Sequence, residues 1–477
     1  MRNKIILLFF LLKGALYAQE SLAPCPPLPT PHQVAWQQME TYAFIHFGLN
    51  TFTDQEWGYG DVPLEKFNPT DLDCEQWARV LVEAGMKGVI ITAKHHDGFC
   101  LWPTKYTDYN IRNTPYLDGM GDIVGQLAEA CRKYGLKFGV YLSPWDRHQA
   151  FYGTSLYPEY YISQMEELVS NYGEIFEIWL DGANGGDGWY GGAKEKRKID
   201  HRTYYNFPRI REFVLRKQPQ TIIFSDGGPG CRWVGNEKGI ASATNWAFLR
   251  IADVYPGYDR AYELGPGHFE GDSWVPAECD VSIRPGWFYH QKEDEKVKTV
   301  DQLVDIYYNS VGHNATMLLN FPVDRRGRIH PTDSANAVNF HKRIQQELSQ
   351  NLLYNKKKPE TDNDFETYSV LQNNTPIEVQ LSRTSLVNRL LLQEYIPMGQ
   401  RTKEFCVEYY DGKKWQKIDA GEVTTTIGYK RILRFPAVRT RRIRLTILDS
   451  RAPVCLSEIA AFYAPEPEKT QKYNENK

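Results

Sequence analysis

The feature that most constrains this chain is an alternation: a short apolar run, an exit crowded with polar and aromatic side chains, then a stretch with helical spacing. Tyr42-Ala43-Phe44-Ile45 leads into His46-Phe47-Gly48, and Gly88 to Ala93 runs into Lys94-His95-His96-Asp97-Gly98-Phe99. Phe138 to Leu142 exits into Ser143-Pro144-Trp145-Asp146-Arg147-His148, Phe176 to Leu180 into Asp181-Gly182, and Thr221 to Phe224 into Ser225-Asp226-Gly227-Gly228. Helical spacing over Asp71–Gly85, Ile123–Tyr134, Tyr160–Tyr172 and Tyr204–Lys217 separates these runs. Strands alternating with helices through right-handed crossovers predict an α/β fold with a parallel sheet. Polar chemistry gathered at the same end of every strand predicts closure into a (β/α)8-like TIM barrel. Between Cys231 and Trp287 regular elements are hard to read. After a helix over Val300–Ser310 only Met317–Phe321 reads as a late strand, so the barrel is expected to be irregular there, and a last helix is predicted over Pro331–Gln350.

The length of 477 residues exceeds one ordinary core, so a barrel at 24–352 and a smaller second domain are expected. A charged stretch, Lys356 to Asp362, reads as a solvated linker. Short alternating runs then suit a β-sandwich at 366–464, followed by a polar, disordered tail at 465–477. Met1 to Ala18 has the basic start, apolar core and small-residue end of a signal peptide, which predicts an exported protein, periplasmic or secreted. Its apolar core is too short to span a bilayer, so no membrane insertion is expected. Pro24, directly before Cys25, argues against a lipid anchor at that cysteine. The net charge of −3 gives no electrostatic reason to expect nucleic acid as a partner. Eight cysteines without a Cys-x-x-Cys pair indicate neither a zinc ribbon nor a thioredoxin-like site, and any disulfide pairing stays open. Aromatic residues make up 13% of the chain, which suits stacking on sugar faces as well as ordinary packing.

Asp181 is the first catalytic candidate, because a carboxylate between a buried strand and a glycine turn stands where barrel enzymes do their chemistry. A capping role for it is the plain alternative. Glycoside hydrolysis with retention requires a second acid, and Glu56, Asp226, Glu237 and Glu278 are the candidates. Glu237 ranks first, since Arg232 to Gly239 is a glycine-containing loop with Trp233 that could carry an acid over the barrel mouth. A surface acid is the competing reading. His46, His95 and His96 suit hydrogen bonds to sugar hydroxyls better than a metal, because adjacent histidines on an extended strand point to opposite sides. No metal or cofactor is expected. Each histidine could also be a satisfied core residue. Trp145 at the third exit, and Arg284 and Trp287 on a later loop, complete the expected sugar-binding set, with fixing a carboxylate the alternative for Arg284 and core packing the alternative for Trp287. No phosphate loop and no Gly-x-Ser-x-Gly elbow occurs. The residues alone indicate a barrel hydrolase of sugars.

His46-Phe47-Gly48, Lys94 to Phe99, Trp179-Leu180-Asp181-Gly182-Ala183 and Trp287-Phe288-Tyr289 together resemble glycoside hydrolase family 29, the retaining α-L-fucosidases. The resemblance runs from about Pro24 to Gln350. It implies that Asp181 is the nucleophile and that His46, Glu56, Trp57, His95, His96, Tyr141 and Trp287 line a fucose pocket. Arg232 to Glu237 is similar to the acid/base segment of the family's second subgroup, which implies an acid/base role for Glu237 and a preference for α-1,3- and α-1,4-linked fucose. The implied partner is a fucosylated oligosaccharide or glycoconjugate. The insert Gly185 to Lys198 departs from the family pattern, and the C-terminal domain resembles galactose-binding-like modules in a supporting role. Two other classes remain open: a catalytically silent fucose lectin on the same fold, and a metal-dependent barrel hydrolase.

Overall fold

The computed structural model describes residues 22–465. The expected signal peptide at 1–18 and the tail beyond Pro465 lie outside the described residues. Eight strands form a closed, wholly parallel barrel: β1 (Thr41–Ile45), β2 (Gly88–Lys94), β3 (Lys137–Leu142), β4 (Glu177–Trp179), β5 (Ile222–Ser225), β6 (Cys231–Trp233), β7 (Ala277–Ser282) and β8 (Ala315–Asn320). Each strand pairs with its neighbours in sequence, and β8 closes on β1 with Thr41 opposite Met317. Six helices cover the barrel: α1 (Cys74–Glu83), α2 (Ile123–Tyr134), α3 (Tyr157–Asn171), α4 (Phe207–Lys217), α5 (Val300–Ser310) and α6 (Pro331–Leu348). Local chemistry sets their ends. Asp73 and Asp122 accept hydrogen bonds from the backbone N–H of Gln76 and Gly125, Thr299 forms a capping box with Gln302, and Gly135 takes the left-handed conformation that ends α2.

The irregularity falls where the sequence predicts it. No α-helix joins β5 to β6; Phe224 pairs with Cys231 across a connection so tight that a Cβ at Gly230 would approach the Ile223 backbone to 2.5 Å. Between β6 and β7 the chain makes a long excursion held by the short pair Phe248–Leu249 and Ser273–Trp274. The segment that resists reading nevertheless holds two barrel strands. On β7 the residues Glu278 and Asp280 replace the apolar side chains by which a strand is recognised.

Glu278 is not an acid of the catalytic mouth, which corrects its place among the candidates. It is fully buried inside the barrel with Glu177. The Tyr42 hydroxyl donates to Glu278, as does Trp179 Nε1 at 2.7 Å, while Trp36 Nε1 donates to Glu177 at 2.8 Å. Burial raises both carboxyls, and mutual charge adds to the rise at Glu177. Cys231 completes a group whose ligating atoms all lie within 4.8 Å of one another. All eight cysteines carry free thiols.

The C-terminal unit is one six-stranded antiparallel sheet of β9 (Ser369–Leu371), β10 (Ile377–Glu394), β11 (Thr402–Tyr410), β12 (Trp415–Lys417), β13 (Arg431–Ser450) and β14 (Val454–Phe462), in the order β9-β14-β10-β13-β11-β12. The region predicted as a sandwich is this one hydrogen-bonded sheet, whose two longest strands are broken by register shifts. β10 and β13 lose register between Gln380 and Ser385 and again between Val387 and Arg389, and one apolar cluster collects residues from both halves of each strand. The expected linker is only partly solvated, because Glu360 and Thr361 are buried while Lys356 to Lys358 are exposed.

Candidate active site

Asp181 follows β4 at the C-terminal mouth of the barrel. Its Oδ1 accepts the Ala183 N–H at 2.7 Å and its Oδ2 accepts the Tyr141 hydroxyl at 3.0 Å. His96 Nε2 lies 3.7 Å from the same Oδ2. The carboxylate is thereby held with one oxygen on the turn and the other on side chains from β3 and from the β2 exit. Gly182 is required by a close approach, since a Cβ there would lie 1.8 Å from Asp226 Oδ2. Burial and the charge of Asp181 push the Asp226 carboxyl up to about 7.

The β2 exit turns sharply after Lys94, with a break in register between Thr92 and Lys94. That turn brings the rings of His95 and His96 to 4.2 Å from each other, so the two histidines share a side that an extended strand would deny them. Lys94, fully buried, fixes the turn by donating to Asp146 at 3.1 Å and to Gln164 at 2.9 Å. Burial holds His46 down to about 3 and His96 down to about 4, so both are neutral near pH 7. Hydrogen bonds choose their tautomers. Asn320 Nδ2 donates to Ser282 Oγ and to the Trp287 carbonyl, so its Oδ1 accepts from His46 Nδ1 at 2.9 Å. Ser143 Oγ donates to the Trp145 carbonyl and accepts from His96 Nδ1 at 2.7 Å. Each histidine is left with Nε2 as an acceptor, the pairing a sugar hydroxyl needs. His95 stacks at 14° on Tyr141, and its buried Nδ1 has no partner.

A cavity of about 360 Å³ brings Asp181 together with Glu237, on walls that include Trp179, Asp226, Trp233 and Asp280. Glu237 accepts from Trp287 Nε1 at 3.2 Å. Its side chain opens to solvent at the mouth, yet partial burial, followed by the charges of Asp181 and Glu56, holds its carboxyl above the ordinary range. Trp287 in turn lies 5.1 Å from the His46 ring. Trp57 is 51% exposed and meets His96 edge-on at 5.1 Å.

Three expected sugar contacts have other employment. Arg284 is fully buried, with Nε and Nη2 donating to the two oxygens of Asp333 at 2.7 and 2.9 Å and Nη1 donating to Asp294 at 2.8 Å. Its guanidinium is consumed by internal carboxylates, which removes it from the sugar-binding set. Glu56 accepts the backbone N–H of Trp287 at 2.8 Å and of Phe288 at 3.2 Å, and pairs with His290 Nε2 at 2.7 Å. It therefore braces the loop that presents Trp287. Trp145 is 3% exposed and spends its indole N–H on the Tyr190 hydroxyl, forming a wall behind His96 and Trp57.

Sequence reasoning missed Asp280, His290 and Tyr258, and it named Asp226 as an acid candidate only. Asp280 is a buried carboxyl that accepts Trp233 Nε1 at 2.7 Å. The one available signal was the density of tyrosines in the glycine- and proline-containing segment Tyr255 to Tyr262, of which Tyr258 and Tyr262 line the cavity.

The arrangement offers a partly exposed carboxylate and a second carboxyl, held above its ordinary range by partial burial, on the walls of one polar and aromatic cleft. Comparison with known proteins agrees. Residues 30–340 match the family described as alpha-L-fucosidase. Alpha-L-fucosidase 1 of Arabidopsis thaliana is 38% identical, over 97% of this chain and 94% of that protein. A crystal structure of a glycoside hydrolase 29 family member from an unknown rumen bacterium is 45% identical, with a TM-score of 0.86, covering 94% of this chain and 79% of that one. A Ruminococcus gnavus GH29 fucosidase in complex with fucose is 29% identical, with a TM-score of 0.81, covering 94% and 97% of the two chains. The chain therefore belongs to the α-L-fucosidase family, glycoside hydrolase family 29, and is a glycoside hydrolase whose substrate is a fucosylated glycan.

Proposed function

We propose that the protein is an exported, retaining exo-α-L-fucosidase that removes terminal α-1,3- and α-1,4-linked L-fucose by double displacement. Asp181 attacks the anomeric carbon while Glu237 protonates the departing glycosidic oxygen. Glu237 then takes a proton from the water that releases fucose. The observation that carries this reading is that Asp181 and Glu237 line one cavity, with the Glu237 carboxyl raised as a general acid needs. Tyr141 steadies the nucleophile, and the Nε2 acceptors of His46 and His96 suit the hydroxyls of the bound sugar. The linkage preference rests on the likeness of Arg232 to Glu237 to the family's second subgroup, and export rests on the Met1 to Ala18 pattern.

Removal of the nucleophile tests the mechanism. Asp181→Gly is expected to abolish turnover, and added azide is expected to restore cleavage of an activated aryl fucoside with β-fucosyl azide as the product. One inversion by azide on an α-fucoside gives that anomer. Near wild-type activity of the variant without azide would sink the assignment of Asp181.

A further inference from the structure

The insert Gly185 to Lys198, which the catalytic reading leaves without a task, builds a groove beside the active-site mouth. It folds as a short hairpin in which Gly186–Gly188 pairs with Glu195–Arg197. A groove of about 420 Å³ lies between this hairpin and Tyr59, and Trp189, Asp61, Asp187, Lys194 and Lys196 complete its walls. That volume is within the ~300–1,000 Å³ usual for ligand sites.

The groove is built rather than incidental. The Arg147 guanidinium packs on the Tyr59 ring at 4.0 Å, yet Tyr59 remains 49% exposed, so the ring is supported from one side and open on another. Arg147 is itself 4% exposed. Its Nε donates to the Asp187 carbonyl at 2.6 Å, and its Nη1 donates to the carbonyls of Gly58 at 2.7 Å and Trp57 at 3.2 Å. One guanidinium thus locks the hairpin to the loop carrying Trp57 and Tyr59. Trp189 donates its backbone N–H to the Tyr59 carbonyl at 3.1 Å and stacks on His148 at 5.2 Å. The hairpin follows within two residues of Asn184, which lines the catalytic cavity, and Gly186 packs against the Trp145 ring that stands behind His96 and Trp57.

A rigid, half-exposed aromatic ring ringed by carboxylates and ammonium groups has the chemistry of a pyranose site: the ring takes the C–H face of a sugar and the charged groups take its hydroxyls. We propose that this groove is a second carbohydrate subsite, binding a pyranose of the same glycan whose terminal fucose occupies the pocket at Asp181. The proposal rests on the fucosidase reading for the identity of that glycan.

The test compares wild type, Tyr59→Ala and Tyr59→Phe on an aryl α-L-fucoside and on a branched fucosylated oligosaccharide. Calorimetric titration with the defucosylated oligosaccharide accompanies the kinetics. Tyr59→Ala is expected to raise KM for the oligosaccharide about tenfold, the effect of losing a well-packed aromatic contact, and to weaken the titrated affinity. Its kcat/KM on the aryl fucoside should not change, and Tyr59→Phe should behave as wild type. Equal losses on both substrates would overturn the proposal, placing Tyr59 in support of the Trp57 loop. Weakened titration with unaltered oligosaccharide kinetics would also overturn it, because the groove would then hold a separate glycan chain. If wild type cleaves neither substrate, the fucosidase reading fails, and the titration of Tyr59→Ala against wild type still decides whether the groove binds sugar.

Discussion

Glu237 acts through its proton, so its environment decides how the enzyme depends on pH. Partial burial and the charges of Asp181 and Glu56 raise its carboxyl, and the Trp287 N–H only partly offsets the rise. A raised acid stays protonated to higher pH than an ordinary carboxyl, and kcat/KM falls as pH climbs through its pKa. Glu237→Ala is expected to slow substrates with poor leaving groups by roughly 10²- to 10⁴-fold, the usual worth of general acid catalysis. Activated aryl fucosides should lose much less, and on them the alkaline fall contributed by Glu237 should disappear. Equal losses on both substrate types, measured across pH, would point to another acid, with Asp226 next in line. At this scale much of the site was legible. Asp181 and Glu237 stood out, against the capping and surface-acid alternatives, because a carboxylate at a strand exit and another on a glycine-containing loop can reach one barrel mouth. Arg284 takes the second of its two expected roles, fixing carboxylates rather than sugar hydroxyls, and the sequence could not choose between them because its partners Asp294 and Asp333 are remote or unremarkable there.

The loop between β6 and β7 carries that acid, and its backbone and the acid side chain are held very differently. At its base Arg232 is fully buried and donates to the carbonyls of Leu264 at 3.0 Å and Val275 at 2.7 Å and to Asn245 Oδ1 at 2.9 Å. At its tip Glu237 and Lys238 are exposed; the backbone of Lys238 bridges to Val281 of β7 and donates to Asn236 Oδ1 at 3.1 Å, while among the described residues the Glu237 side chain is tied to Trp287 alone. An acid side chain with a single tie on a firmly held loop lets contacts from the sugars beyond fucose set its final position, so remote binding energy appears in kcat. A small aryl aglycone offers no such contacts. We therefore expect kcat/KM on α-1,3/α-1,4-fucosylated Lewis trisaccharides to exceed that on α-1,2-linked fucosyl-lactose and on aryl fucosides by at least about tenfold, or roughly 1.4 kcal/mol. Equal or better cleavage of the α-1,2-linked sugar would remove the linkage assignment and leave the fucosidase standing. At the element scale six barrel strands and six helices followed from periodicity and caps. β6 and β7 did not, since one is three residues long and the other fills the barrel interior with Glu278 and Asp280. Periodicity records apolar faces and misses a strand whose inward positions are charged.

For the whole molecule, the sequence separates two domains but is silent on how firmly they join. Leu391, Ile432, Ala460 and Phe462 of the C-terminal sheet are buried in the same apolar cluster as the barrel and its helices. Polar contacts reinforce that seam: His313 Nε2 pairs with Glu422 at 2.8 Å, and Arg431 Nη2 reaches Glu422 at 3.2 Å. Arg431 Nη1 also donates to the Ala243 carbonyl at 2.8 Å, joining the sheet to the excursion between β6 and β7. Such packing makes the two units one cooperative body. Calorimetry should show a single unfolding transition rather than two. Arg431 is 1% exposed, so Arg431→Ala leaves a cavity and removes the cation that Glu422 and the Ala243 carbonyl share. Breaking a buried pair in this way costs about 3 kcal/mol. With an unfolding entropy of about 2.1 cal/mol/K per residue, near 1 kcal/mol/K for a chain of this size, the transition should fall by roughly 3 °C. It should remain single, and kcat/KM at 25 °C should stay at the wild-type value, because Arg431 does not touch the catalytic cavity. Two resolved transitions in either protein would mean that the sheet and the barrel fold independently and that the shared apolar seam contributes little to holding the catalytic mouth in shape.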